Sequence, residues 1–252
     1  MPRPTILAVT SLAREAQIAR GNGVSVVCSQ GERLGAALRA AIDPGVAGII
    51  SFGISGGLNP ALVAGDWVIA SAVRYSDRVI VTDSKWRQEL CKRLPGAVLA
   101  DIVGSDTMVP TPAEKSHLHR TTGAVAVDME SHIAAEAAAA HGIPFAACRV
   151  IIDAAHRALP SAAGPALDSN GTVNIFAVMR SVLRTPSQLP DLARAAFDAC
   201  IAERALRKGR KQLELGFGSP FVNGRAVERG FAGQPDVSSD FLRPLPPICE
   251  TP

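Results

Sequence analysis

Val125-Ala-Val-Asp-Met-Glu130 and Phe145-Ala-Ala-Cys-Arg-Val-Ile-Ile-Asp153 are nearly continuous apolar runs, and each ends on a carboxylate. Neither shows the every-other-residue polarity of a half-exposed strand. Such runs are stable only with both faces covered, the condition of a strand inside a parallel sheet layered by helices. Thr5–Thr10, Val24–Ser29, Val46–Phe52, Asp66–Ala72 and Val98–Gly104 read the same way, beside Ala124–Met129 and Pro144–Ile152. Helical patterns fall between them at Ala13–Arg20, Glu32–Ile42, Asp83–Leu94, Thr111–Arg120 and Ser131–His141, with two more at Val173–Leu183 and Asp191–Lys211. This alternation predicts an α/β domain with a mixed, mostly parallel central sheet flanked by helices.

Local signals agree with those bounds. Thr111 precedes Pro112 as a cap before a first-turn proline, Asp191 follows Pro190 as a cap, and Gly142 is placed to end the alanine-rich helix Ser131–His141. That helix has so little bulk that it can lie close to the sheet. From Leu215 onward Gly, Pro, Ser and Arg dominate without periodicity. One domain over residues 1–213 and an irregular C-terminal tail over 214–252 are therefore expected, with Phe217, Phe221, Phe231 and Phe241 available to dock the tail.

Composition narrows the function classes. The chain has 252 residues, 47% of them hydrophobic, which is enough core for one sizeable domain. A net charge of +3 and 4% aromatics, with no basic stripe beside stacking rings, argue against a nucleic-acid partner. The cluster Arg204, Arg207, Lys208, Arg210 and Lys211 closes a helix, where cations complement the dipole. Five widely spaced cysteines without a C-x-x-C pair indicate neither a disulfide framework nor a zinc site. The apolar run Ile6 to Val9 is too short for a signal-peptide core, and a cytoplasmic location is expected.

Parallel sheets hold ligands outside the carboxyl ends of their strands. Glu130 and Asp153 would thus face one crevice, one acid holding a hydroxyl and the other passing a proton. A carboxylate at a strand-to-helix junction can also simply cap the helix, the reading that suits Asp128. The third strand runs into Ser51-Phe-Gly-Ile-Ser-Gly-Gly-Leu58, where Gly53, Gly56 and Gly57 are expected to turn the backbone sharply against a ligand. The spacing is not the dinucleotide G-x-G-x-x-G, and no P-loop lysine follows. His117, His119, His132 and His141 lack metal-ligand partners and read as surface or cap residues; no metal is expected.

The glycine segment Gly53-Ile-Ser-Gly-Gly-Leu58, then Gly65-Asp66, Val127-Asp-Met-Glu130 and Arg149-Val-Ile-Ile-Asp153 occur in one order. Together they resemble the superfamily of purine nucleoside phosphorylases and 5′-methylthioadenosine/S-adenosylhomocysteine nucleosidases, over about residues 4–210. The Ser11-Leu-Ala-Arg-Glu15 start and the Pro186–Pro190 segment resemble most the hopanoid-associated phosphorylase branch. That resemblance implies removal of adenine from a 5′-modified nucleoside, adenosylhopane, with phosphate as acceptor and no cofactor. It also implies a homo-oligomer whose subunits complete each other's sites, and peripheral membrane contact to collect a lipid substrate. A hydrolytic nucleosidase and a non-catalytic nucleoside- or lipid-binding protein of the same fold are the alternatives.

The roles implied are chemically sensible. Cleavage of an N-ribosidic bond builds positive charge on the sugar and negative charge on the departing base. Asp153 would protonate or hydrogen-bond the purine N7, which needs a raised pKa. Glu130 would grip the ribose hydroxyls as an anion, and Met129 would press on the nucleoside as an adaptable apolar wall. Arg149 would orient Asp128 or Glu130. Glu15 would activate water, or serve only as a first-turn helix carboxylate. Phosphate would be held by the Gly53–Gly57 amides, by Ser55, or by Arg14 or Arg20. Ile152 stands where the nucleosidases carry a serine, which makes the surroundings of the acid drier. Ile175, Phe176, Val178 and Met179 are candidates for an apolar wall beyond the ribose.

Overall fold

The computed structural model describes residues 5–159 and 189–222. Eight strands and six helices follow in chain order: β1 Thr5–Thr10, α1 Ala13–Ala19, β2 Val24–Cys28, α2 Glu32–Ala41, β3 Val46–Gly57, β4 Trp67–Tyr75, β5 Arg78–Val81 and α3 Ser84–Arg93. The chain continues through β6 Val98–Gly104, α4 Pro112–Thr122, β7 Ala126–Asp128, α5 Ser131–Ala140, β8 Phe145–Asp153 and α6 Leu189–Leu213. The Val173–Leu183 helix and its apolar wall lie outside the described residues, as does the tail beyond residue 222.

All strands belong to one sheet in the order β2-β1-β3-β7-β6-β4-β5, with β8 bridging β3 and β4. Five pairings are parallel, whereas β3–β7, β4–β5 and β4–β8 are antiparallel. The bridge made by β8 closes β3, β7, β6, β4 and β8 into a ring, a small barrel with β1 and β2 extending from it. Two apolar layers cover the sheet. One unites Leu34 and Leu38 of α2 and Ala134, Ala135 and Ala138 of α5 with Leu7, Val9 and Ile151. The other unites Ile18, Trp86, Leu90, Ala202 and Leu206 with Ile6, Ile50, Cys148 and Val150. Alternate residues of β8 thus feed opposite layers, which is why its sequence is apolar throughout.

Two elements differ from the sequence reading, and a third gives one of its expectations a place. The glycine segment is not a turn: β3 continues straight through it to Gly57. Absence of side chains there lets other groups approach instead of bending the backbone. Second, β5 is an edge strand with Val79 and Val81 exposed, too short and too open to announce itself as apolar. Third, residues just past α6 turn back into the core. Phe217 is fully buried, with its ring edge-on to Phe52 at 4.9 Å and the Arg210 guanidinium 4.3 Å from its centroid. Its carbonyl accepts from Trp86 Nε1 at 3.0 Å, and Phe221 packs edge-on to the same indole.

Candidate active site

The site is built where β3 changes partners. On one edge it pairs with β1 as far as Ser51, then with β7 at Gly56 and Gly57. The interval between is without a strand neighbour on that edge, and side chains enter it. Ile54 N–H donates to Glu15 Oε1 at 2.8 Å. A change of strand partner is a topological switch point, where α/β sheets open a crevice for ligands.

Arg149 of β8 stands beside Gly53 in the parallel register. A Cβ at Gly53 would lie 2.8 Å from Arg149 Nη1 and closer still to Glu15 Oε1, so only glycine leaves room for both. The buried guanidinium reaches Asp128 Oδ2 at 2.8 Å and Glu130 Oε2 at 3.4 Å. Ser51 Oγ and Ser131 Oγ also accept from it. Asp128 is spent on structure: its Oδ1 accepts from Ser131 N at 2.8 Å and Glu130 N at 3.2 Å, satisfying the first turn of α5. Glu15 is similarly engaged, with Oε2 accepting from Ser11 N at 3.0 Å and Leu12 N at 2.9 Å, which caps α1.

Glu15, Asp128 and Glu130 thus surround one guanidinium, and three charges cannot all be balanced by it. Burial, reinforced by Asp128 and Glu15 and opposed by Arg149, pushes the Glu130 carboxyl up to about 8. The protonated form of Glu130 is thus favoured relative to that of an ordinary carboxyl. The proton belongs to the cluster as a whole. A ligand that donates to Glu130, or brings positive charge to it, would draw the proton off.

Asp153 lies at the far end of the same strand segment. A bulge at Ile152 advances it by one residue, so that it pairs with Gly56, where a Cβ would sit 3.5 Å from its Oδ1. Its Oδ2 is bonded to Lys115 Nζ of α4. That lysine is fully buried and also donates to the Ala154 carbonyl at 3.2 Å and the Arg157 carbonyl at 3.0 Å. Burial drives the Asp153 pKa up, Lys115 opposes it, and Asp198 adds to the rise. Sequence inspection missed Lys115 altogether. Its one signal is its place three residues before Leu118, on the inward face of α4.

The remaining candidates fall into place more simply. Ser55 is buried and its Oγ has no hydrogen-bond partner among the described residues, a polar atom left for a ligand. Met129 and Ile152 are half-buried, and Ile152 packs with the layer that contains Trp86. Arg14 points to the surface, 3.0 Å from Glu203, and Arg20 is exposed at the end of α1; neither fits a phosphate ligand here. His156 is exposed, and Arg157 reaches Asp198 at 3.6 Å. His132, expected at the surface, is buried against Gly104 and stacks on Tyr75 at 4.2 Å, with Asp106 3.2 Å from its Nε2. Among the described residues no group of three or more His, Cys, Asp and Glu side chains is arranged to hold a metal. None of their helices is long and apolar enough to cross a membrane.

Residues 20–184 match the family model described as Phosphorylase superfamily, and the chain belongs to that superfamily. Solved structures of similar fold include the Helicobacter pylori 5′-methylthioadenosine/S-adenosylhomocysteine nucleosidase, at 15% identity and a TM-score of 0.59 over 85% of this chain and 97% of that one. The S-adenosylhomocysteine nucleosidase of Streptococcus pyogenes, in complex with 5-methylthiotubericidin, gives 16% identity and a TM-score of 0.56 over 82% and 98%. Futalosine hydrolase of Helicobacter pylori gives 16% and 0.58 over 84% and 96%. At such identities the likeness establishes the fold. No curated protein sequence matches the chain.

Proposed function

We propose that the protein cleaves the N-ribosidic bond of a 5′-modified adenine nucleoside and releases adenine. One observation carries the reading. Two buried acids, one bonded to buried Lys115 and one sharing buried Arg149 with Asp128, flank one glycine-bearing strand segment at a switch point, in a chain of the Phosphorylase superfamily. Asp153 donates to the purine as negative charge develops there. Glu130 gives up its proton as it takes the ribose hydroxyls, and the carboxylate then faces a sugar that becomes cationic, so its stabilisation grows toward the transition state. Met129 supplies an apolar wall, and Asp128 and Arg149 hold Glu130 in place. The substrate proposed is adenosylhopane, with phosphate as acceptor, in hopanoid lipid biosynthesis. These finer terms rest on resemblance to the hopanoid-associated branch. So do a homo-oligomeric assembly, a cytoplasmic location and peripheral contact with a membrane that supplies the lipid.

Hydrolysis is the second reading, and a specific observation favours it. Arg149 and Lys115, the cations at the described site, are both spent on carboxylates, while Glu15 sits beside Gly53 where a water could be oriented. Incubation with adenosine and 5′-alkylated adenosines, with and without phosphate, separates the two. Phosphorolysis yields a ribose 1-phosphate and stops without phosphate. Hydrolysis continues in phosphate-free buffer and stops in Glu15→Gln. Saturable binding with no base release under either condition would refute catalysis.

A further inference from the structure

Lys115 is an unusual residue to find at the centre of a fold. Its side chain has no solvent exposure, and burying an ammonium is unfavourable unless every donor is used. Here the three N–H bonds have three acceptors: Asp153 Oδ2, the Ala154 carbonyl and the Arg157 carbonyl. Two neutral carbonyls and one carboxylate thus take all three donors of the Lys115 ammonium.

Its placement has two consequences for Asp153. The bond to Oδ2 leaves Oδ1, which has no hydrogen-bond partner among the described residues, as the oxygen to meet a ligand. The adjacent charge also opposes the burial that would otherwise keep the acid protonated. The other charged groups near Asp153 are Asp198 on α6, which favours the proton, and Arg157, whose guanidinium is drawn to Asp198 at 3.6 Å. Lys115 is thus the cation in direct contact with this acid among the described residues.

We infer that Lys115 is a positioning residue that sets the acidity of Asp153 and selects Oδ1 as its donor atom. Applied to catalysis, the inference rests on the base-release reading above. In this step the proton on Asp153 Oδ1 passes to the purine nitrogen, the electron pair of the C–N bond goes to the base, and the ribosyl cation is captured at C1′ by an oxygen of the acceptor, phosphate or a water that gives its proton to a base. The carboxylate left behind is stabilised by the Lys115 ammonium, which keeps its own proton. Without the lysine the acid would hold its proton to higher pH and would be a poorer donor. Lys115 thereby trades occupancy of the protonated form for donor strength, as a general acid working near neutrality requires.

The same lysine ties the first residues after β8 to α4, so a purely structural role is the rival. The experiment follows the protonated carboxyl stretch of Asp153 by infrared titration of ¹³C-aspartate-labelled protein without substrate, assigned by its loss in Asp153→Asn. In the wild type the band should appear as pH falls through the raised midpoint of this buried carboxyl. In Lys115→Met its midpoint should rise by about one pH unit or more, the direction expected when an opposite charge is removed from a buried acid. The alkaline limb of the kcat/KM profile for adenine release should move with it, and Lys115→Arg should restore part of the shift. Where Lys115→Met does not fold, Lys115→Gln takes its place, and a midpoint no higher than that of the wild type overturns the inference. An unchanged midpoint with only lowered stability overturns it as well. A shifted midpoint in a protein that releases no base from any nucleoside supports the Lys115–Asp153 coupling and refutes the base-release reading instead.

Discussion

Arg149 stands beside Gly53 on the neighbouring strand, and the hydrogen that Gly53 carries in place of a side chain is what admits the guanidinium and the Glu15 carboxylate to the same point. The glycine serves packing at a polar centre rather than chain reversal. Everything around Glu130 depends on it, because Arg149 holds Asp128, and Asp128 holds the first turn of α5.

Gly53→Ala should therefore behave as an overpacking substitution at an ionic cluster. A loss of about 1–3 kcal/mol is expected, with reduced base release in the folded fraction. Denaturant unfolding beside an adenine-release assay checks it. A variant of native stability and full activity would show that the cluster tolerates a shift of Glu15 or Arg149.

Arg149→Met removes the cation and leaves three buried acids facing one another. Breaking a buried pair from one side typically costs about 3–5 kcal/mol, and that scale is expected here. Loss should be smaller at pH 5, where the acids can take up protons, than at pH 8. Thermal unfolding across pH decides it, and a loss independent of pH would contradict the cluster.

Glu130 gives a signed pH effect. Its folded pKa is raised from the ordinary 4.5 to about 8, chiefly by burial, so the native state holds a proton that the unfolded chain releases. This contribution to stability is complete below the ordinary carboxylate range and is lost as pH rises through about 8. Glu130→Gln should come nearest the wild type at pH 5 and gain on it by about 4 kcal/mol between pH 5 and pH 9. Equal differences at both pH values would show that Glu130 is already ionised in the empty site.

Nucleoside binding should release a proton at pH 7, because ribose hydroxyls donate to the ionised carboxylate. Titration calorimetry in two buffers of different ionisation enthalpy measures it. Release in the wild type and none in Glu130→Gln is the expected pair of results; identical release in both would place the titrating group elsewhere.

Most of the sheet was legible because strands covered on both faces are written as unbroken apolar runs, and Val46, Val98 and Phe145 each open a strand where the pattern begins. What escaped reading has physical reasons. Gly53, Gly56 and Gly57 carry no side chain to mark a strand, so the second half of β3 resembled a turn. Arg78–Val81 is a short edge whose valines face outward. Phe217 was readable as a docking residue, but not its place, which it reaches through a left-handed backbone, φ 56°, that no periodicity announces. At the site, Glu130, Asp153 and Arg149 stood out as polar residues closing or interrupting apolar runs. Lys115 did not, because a lysine on a helix is ordinarily solvated and only the tertiary fold brings it to Asp153. His132 was misplaced for the same reason, since Gly104 makes its pocket from another strand.

The central claim is that Asp153 and Glu130 act on one nucleoside, and it is tested most directly by free adenine. Wild-type protein and Asp153→Asn are to be incubated with a 5′-alkylated adenosine, with phosphate present and absent, and adenine followed by chromatography. Release by the wild type, reduced on the order of a hundredfold or more in Asp153→Asn, is the predicted result. Release that proceeds equally in the two proteins would contradict the account.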